Sequence, residues 1–268
     1  MKFHIGVKRW ITEPFKHRTL FWGFVNQEIK GRYAGSIFGL VWSILLPLAN
    51  LLIYVFVFTV VFKIRLKPED GTESFVLYLL SGLLPWMTFS EALGSSPGIF
   101  VGKANLITKV AFPIELLPLS GVAVVFFINS IGLLFFLCYL AIQGYLNFTW
   151  LVLPVVMGVH MLFTLGLVVL IASLSVFIRD IQQVIGVVLS LWMYLTPILY
   201  PISMVPEQIQ WILYFNPMCM FIELYHQVLL CKTIPWGLLL NCFVLALVMF
   251  FAGAGFFGKS RNAFADVL

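Results

Sequence analysis

Between Glu115 and Arg179 the chain carries no Asp, Glu, Lys or Arg, and His160 is the sole basic or acidic group in those sixty-three residues. A bilayer core is crossed by about 20 apolar helical residues, so a run of this length predicts two crossings and a turn. No soluble domain can hide such a run. Across the 268 residues the apolar fraction is 62% and the charged fraction 10%, against about 25% charged in ordinary soluble domains. The length suits one helical bundle. The start of the chain is basic and mixed, without the apolar core and cleavage site of a signal peptide.

Reading the charge-free stretches in order predicts six spans, over 38–62, 75–93, 116–142, 150–177, 182–200 and 235–257. Backbone groups in lipid must be satisfied within the segment, so the spans are expected to be helices. A membrane barrel would need alternating polarity in segments of about 10 residues, and these stretches are apolar on every face. The break between the third and fourth spans falls at Gln143-Gly144 and Asn147-Phe148-Thr149.

Six spans put both termini on one side. With that side inside, the inner segments hold Lys2, Lys8, Arg9, Lys16, Arg18, Lys30, Arg32, Lys103, Lys109, Arg179, Lys259 and Arg261. The outer segments hold Lys63, Arg65, Lys67 and Lys232, with Glu69, Asp70 and Glu73 beside the first three. The asymmetry follows the positive-inside rule and predicts cytoplasmic termini. It also assigns the basic balance to topology and lipid headgroups, so no nucleic-acid partner is expected.

Three segments outside the spans carry information. Residues 14–33 read as an interfacial helix, with Phe21, Phe24, Val25 and Ile29 at helical spacing among Lys16, Arg18, Gln27 and Lys30. Gly31, Gly35 and Gly39 continue it as a small-residue ridge suited to close helix approach, or as a flexible hinge. Residues 98–112 read as a short inner helix, with Ile99, Leu106 and Val110 on one face; it suits docking to a soluble partner or an amphipathic connector. Pro197 to Pro235 is strongly apolar yet broken by Pro201, Pro206 and Pro217, which predicts half-depth outer helices.

The chemistry is sparse. Gly253 to Ser260 matches the phosphate-loop spacing G-x-x-x-x-G-K-S, but that loop needs a preceding strand and a following helix. A span precedes it and eight residues follow, so the glycines are assigned to close packing of the last span and Lys259 to anchoring its inner end. Cys138, Cys219, Cys231 and Cys242 lack paired spacing, and His4, His17, His160 and His226 share no helix face. Metal and nucleophile sets are not expected. Intramembrane ionisable groups usually mark ion-coupled transport; here Glu91 and the Arg179-Asp180 pair stand at span ends. Energy for any transport is therefore expected from a partner. Aromatic residues make up 16% of the chain; most suit interfacial belts, and some suit stacking against sugar rings.

Several segments resemble type-2 ABC exporter permeases. Glu28-Ile-Lys-Gly-Arg-Tyr-Ala-Gly-Ser36, Gly39-Leu-Val-Trp42 and Pro47 are similar to the start of that family's first span. Leu79 to Trp86, Asn105, Lys109-Val-Ala-Phe-Pro113 and Glu115 to Ser120 resemble its second span and coupling region. Arg179-Asp180, Thr196-Pro197-Ile-Leu-Tyr-Pro201 and Asn216-Pro217 resemble its fifth span and outer elbow. The likeness covers roughly residues 20 to 260 and is best to the polysaccharide branch, which exports O-antigen, capsule and teichoic acid. Ile114 departs from it, since many members carry Arg there.

The resemblance implies an all-α integral membrane permease, one domain over 1–268, in the inner (cytoplasmic) membrane as a homodimer. It implies a separate cytoplasmic ATPase that holds ATP and Mg, with no cofactor on this chain. The ATPase coupling helix would be 98–112, through Gly98, Phe100, Lys103, Asn105, Lys109 and Phe112. The interfacial helix would act as a gate through Phe21, Phe24, Val25, Lys30 and Arg32. Trp42, Tyr54, Trp86, Phe89, Trp192, Tyr194 and Tyr200 would line the translocation path. The substrate would be a polyprenyl-diphosphate-linked polysaccharide moved between leaflets. The same architecture also suits efflux of a drug or small lipid. A membrane enzyme or scaffold of glycan assembly is a third reading, distinguished by independence from an ATPase.

Overall fold

The computed structural model describes residues 2–32, 35–36, 38–61 and 72–268. Tyr33, Ala34, the expected end of the first span at Phe62, and Lys63, Arg65, Lys67, Glu69 and Asp70 lie outside these residues. The described chain is helical: α1 Lys2–Lys16, α2 Arg18–Arg32, α3 Trp42–Val55, α4 Phe75–Ser95, α5 Gly98–Val101, α6 Ala104–Lys109 and α7 Leu116–Ile142. There follow α8 Leu153–Phe177, α9 Ile181–Tyr194, α10 Glu207–Tyr214, α11 Pro217–Leu229, α12 Trp236–Ser260 and α13 Phe264–Val267. Four helical stretches are long and apolar enough to cross a membrane: Phe75–Ser95, Leu116–Ile142, Phe148–Phe177 and Trp236–Ala263. Helix α3 continues through wider turns over Phe56–Val61, and it and α9 are shorter apolar helices.

Local chemistry sets the helix ends. Gly144, at φ +83°, closes α7. Tyr145 N–H returns to the Leu140 carbonyl and Gly144 N–H to that of Ala141, which satisfies carbonyls the helix end would leave open. Asn216 caps α11, its Oδ1 accepting from Met218 N–H, with Pro217 in the first turn. The fifth span was expected to reach residue 200, but α9 stops at Tyr194. Pro197 has no N–H to continue a helix and disfavours helical backbone at Thr196.

The four residues of the Asn216 junction join the end of α9 to the start of α11. Asn216 Nδ2 donates to the Leu195 carbonyl and to Thr196 Oγ1, while Trp192 Nε1 donates to Asn216 Oδ1 at 2.8 Å. Helix α11 is buried along most of its length. At about 1.5 Å per residue its thirteen residues span roughly 20 Å, short of a bilayer core of about 30 Å.

The core is centred on α4, buried on nearly every face. Helices α8 and α12 form the closest pair. A Cβ on Gly253 would sit 2.1 Å from the Gly166 carbonyl oxygen, and one on Gly166 would sit 2.5 Å from the Met249 and Phe250 backbone. Glycine at both positions is what lets the backbones touch. At Gly132 of α7 a Cβ would be 3.1 Å from Pro47 of α3.

Both ends of the described chain meet at one end of the bundle. Glu115, 2% exposed, lies 3.1 Å from Arg9 Nε and 3.0 Å from Arg261 Nη1, so one carboxylate joins α1, the start of α7 and the turn after α12. Trp10 packs edge-on against Phe250 and Phe257.

Two expectations are corrected here. Gly31, Gly35 and Gly39 do not form a packing ridge within the described residues, where a Cβ on any of them meets nothing within 4 Å. Gly35 and Gly39 have φ +80° and +51°, so they serve the turn between α2 and α3. Residues 98–112 do not form one helix but two short ones, parted at Gly102 and Lys103. A Cβ on Gly102 would be 2.7 Å from the Gly98 carbonyl oxygen, and Lys103 at φ −117°, ψ 26° leaves helical backbone.

Gly253→Ala is expected to force α8 and α12 apart at a cost of roughly 1–3 kcal/mol or more, and Gly258→Ala, with open space around it, to be near neutral. Thermal unfolding of the two variants in detergent checks this; equal melting would show that the contact does not hold the pair.

Candidate functional site

A cavity of about 420 Å³ opens between α3, α4 and α7. Trp42, Pro47, Asn50 and Tyr54 line it from α3, Leu80, Leu84, Met87 and Glu91 from α4, and Ile128, Asn129 and Gly132 from α7. Arg32, the last residue of α2, closes one end. Asn50, Tyr54 and the Arg32–Glu91–Asn129 group give polar points on a mostly apolar wall, the usual composition of a site that orients a ligand.

The polar end is a bonded set. Arg32 pairs with Glu91 Oε1. Glu91 Oε2 accepts from Asn129 Nδ2 at 2.7 Å, and the second amide hydrogen of Asn129 goes to the Val125 carbonyl at 3.0 Å. Glu91 thus keeps one partner if Arg32 turns to a ligand. Trp42 and Tyr54 are both half-buried and both present ring surface to the cavity.

One turn earlier on α2, Glu28 pairs with Lys103, between α5 and α6. The Lys103 ammonium also stands 5.7 Å from the centre of the Phe24 ring, within cation–π reach. Phe24 packs on Phe112 with centroids 5.7 Å apart. Phe21, Val25 and Ile29 cover Val124 and Ile128 of α7. Helix α2 therefore touches the α5–α6 segment with one face and the cavity mouth with its end, while Leu20 and Trp22 remain exposed. The stripe expected to meet the lipid interface is used instead against α7.

The other predicted residues separate into groups. In the α5–α6 segment Gly98, Asn105 and Lys109 are exposed. Phe100 is fully buried against Phe257 and Phe264, so it supports the segment from beneath and offers no face for docking. Of the face drawn through Ile99, Leu106 and Val110, only Val110 is exposed, and Ile107 faces the core. Lys30 is exposed on α2.

Trp86 and Phe89, expected on the path, are 3% and 0% exposed and pack with Trp192, Phe163 and His160 in the core of the described chain, away from this cavity. Trp192 is half-buried and tied to Asn216; Tyr194 is exposed, and its carbonyl accepts from the half-buried Tyr200 hydroxyl at 3.0 Å. Only Trp42 and Tyr54 share the cavity, with Arg32 beside them. Asn50 and Asn129 were missed as cavity residues. Their signal was present: an amide in the middle of an apolar span is expected to face a partner or a cavity.

The sequence of residues 19–230 matches the family model described as ABC-2 type transporter. An O-antigen export system permease protein of Myxococcus xanthus is 30% identical over 266 residues, covering 96% of this chain and 98% of the relative. A Klebsiella pneumoniae protein of the same name is 28% identical over 91% of this chain and 92% of its own. The polysialic acid transport protein KpsM of Escherichia coli is 25% identical over 88% and 92%. The match over most of the chain places this protein in the ABC-2 type transporter family.

Proposed function

We propose that the chain is the membrane subunit of an ATP-driven exporter that moves a polyprenyl-diphosphate-linked polysaccharide, O-antigen in the first instance, from the inner to the outer leaflet of the cytoplasmic membrane. The observation that carries this reading is the near full-length similarity to O-antigen export permeases. The cavity adds physical support, since Trp42 and Tyr54 can stack on the apolar faces of sugar rings while Arg32, Glu91 and Asn129 meet hydroxyls.

In this reading the six apolar helices α3, α4, α7, α8, α9 and α12 cross the bilayer, and α10 and α11 dip into the outer leaflet. The termini lie in the cytoplasm, consistent with the Lys and Arg distribution. Two copies assemble with α3 and α9 facing one another. That arrangement would cover the exposed stripe of Val184, Val187, Leu191 and Leu195 on α9. A separate ATPase subunit binds ATP and Mg and seats the exposed part of the α5–α6 segment, with Asn105 and Lys109 outermost. A drug or small-lipid efflux permease is the alternative, and the aromatic variants below distinguish it.

The route from ATPase to cavity runs along α2. Displacing the α5–α6 segment pulls on Glu28 through Lys103, and one turn later the same helix holds Arg32 on Glu91. Lys103 is thus an internal link, and Lys109 is left to the partner's surface.

Lys103→Glu is expected to place two like charges together, at a cost on the order of 1 kcal/mol, and to lower polysaccharide surface display several-fold. Adding Glu28→Lys restores the pair and should restore display, which a docking-only role for Lys103 would not allow. Surface polysaccharide measured in the host carrying each variant reads this out.

Trp42→Ala and Tyr54→Ala are expected to reduce display with little change in melting temperature. Trp86→Ala is expected to destabilise by roughly 3–5 kcal/mol, as a core truncation. Unchanged display in the Trp42→Ala/Tyr54→Ala double variant, with the protein present at normal level, would move the reading to efflux of a smaller molecule. Copurification in mild detergent tests the partner: a stoichiometric ATPase is expected, and its absence from an intact dimer would overturn ATP coupling.

A further inference from the structure

His160, in the middle of α8, is fully buried and takes no part in the proposed transport path. Its ring is enclosed by Phe89, Phe126, Phe221 and Tyr225, with centroids 5.2 to 6.2 Å away. Nδ1 has the Tyr225 hydroxyl at 3.4 Å. Nε2 is buried and has no hydrogen-bond partner among the described residues. A neutral imidazole carries one donor and one acceptor nitrogen, so Nε2 needs a partner in either tautomer. Leaving it without one costs about 1–3 kcal/mol.

Beside the ring is a small cavity of about 10 Å³, lined by Thr88, Phe126, Asn129, Met157, His160 and Tyr225 among others. That is close to the room one water molecule needs, and polar walls are the condition for such a cavity to be wet. The polar groups on its wall are complementary to a donor nitrogen. Asn129 has used both amide hydrogens, on Glu91 and on the Val125 carbonyl, which leaves Oδ1 as an acceptor. Thr88 Oγ1 donates its hydrogen to the Leu84 carbonyl at 3.0 Å and keeps its lone pairs.

We propose that this cavity is a water site, in which a single buried water accepts from His160 Nε2 and donates to Asn129 Oδ1 and Thr88 Oγ1. The Tyr225 hydroxyl then donates to Nδ1. All three atoms are satisfied and the water makes three hydrogen bonds, the usual number for a buried water. Asn129 lies on the walls of both cavities. The water therefore continues the Arg32–Glu91–Asn129 set through His160 to Tyr225, and so joins α2, α4, α7, α8 and α11 by one polar chain across the bundle.

The test is a double-mutant cycle with Thr88→Val and His160→Phe, read as melting temperature of the full chain in lipid nanodiscs. Among the described residues Thr88 and His160 share no hydrogen bond; Thr88→Val keeps shape, and His160→Phe keeps a planar ring while removing both nitrogens. If a water joins them, the double variant melts higher than the sum of the single shifts predicts, by at least about 2 °C, the shift expected for a kcal/mol in a chain of this size. Ser173→Ala, on α8 with its hydroxyl on its own helix at Val169, combined with His160→Phe should be additive. Additivity in the Thr88 cycle overturns the proposal. Should a variant fail to fold, a high-resolution map of the unmodified protein decides. A density peak about 2.7–3.2 Å from Nε2 supports the site, and an empty cavity where other buried waters are visible overturns it.

Discussion

Apolar helices surrounded by apolar lipid gain little from hiding their side chains from one another. Association then rests on close fit and on a few polar contacts that cannot be satisfied by lipid. The Gly166–Gly253 contact is the clearest instance, because a single methyl at either position would occupy space taken by the neighbouring backbone. With α8 and α12 fixed against each other, α4 is enclosed and α11 has a wall to rest on. The Asn216 junction then sets where α9 ends, since one side chain satisfies Trp192, the Leu195 carbonyl, Thr196 and its own helix start. Fit holds the centre of the bundle, and hydrogen bonds place its irregular ends.

Charge has a narrower task. Glu115 holds Arg9 and Arg261 at the end of the bundle where the ends of the described chain meet, and two further ion pairs, Glu28–Lys103 and Arg32–Glu91, hold α2. Glu115 ties α1 and the turn after α12 to the start of α7, and Glu91 ties α2 to α4. The half-exposed pairs of α2 contribute little stability each, whereas the buried Glu115 carboxylate depends on its arginine partners.

The long apolar helices were legible because a stretch without charge has one stable solution in a chain this apolar. The turn at Gly144 was legible for a similar reason, since that residue's own backbone chemistry decides it. The misread features depend on neighbours far away in sequence. Phe100 looks like a docking residue until α12 and α13 supply Phe257 and Phe264 above it. The burial of Phe89 and Trp86 likewise comes from α8 and α9 closing around them. Gly31, Gly35 and Gly39 match a packing ridge in spacing, and the positive φ values of Gly35 and Gly39 that reveal a turn instead are a property of the folded backbone. Spacing recognised the candidate aromatics as a class, and position on the cavity separated Trp42 and Tyr54 from the rest.

Under the proposed function α2 would act as a gate, and its contacts suit a short helix outside the bundle. Its buried face, Phe21, Val25 and Ile29, packs on α7 through side chains. Its two ion pairs stand one helical turn apart, Glu28 on the α5–α6 segment and Arg32 on the cavity mouth. In the proposed reading, a rigid turn of helix between them would convert a push at one site into a displacement of similar size at the other. The positive-φ glycines that follow, Gly35 and Gly39, would absorb the movement before it reached α3. Movement of Arg32 would then change the polar end of the cavity while Trp42 and Tyr54 stayed in place on α3.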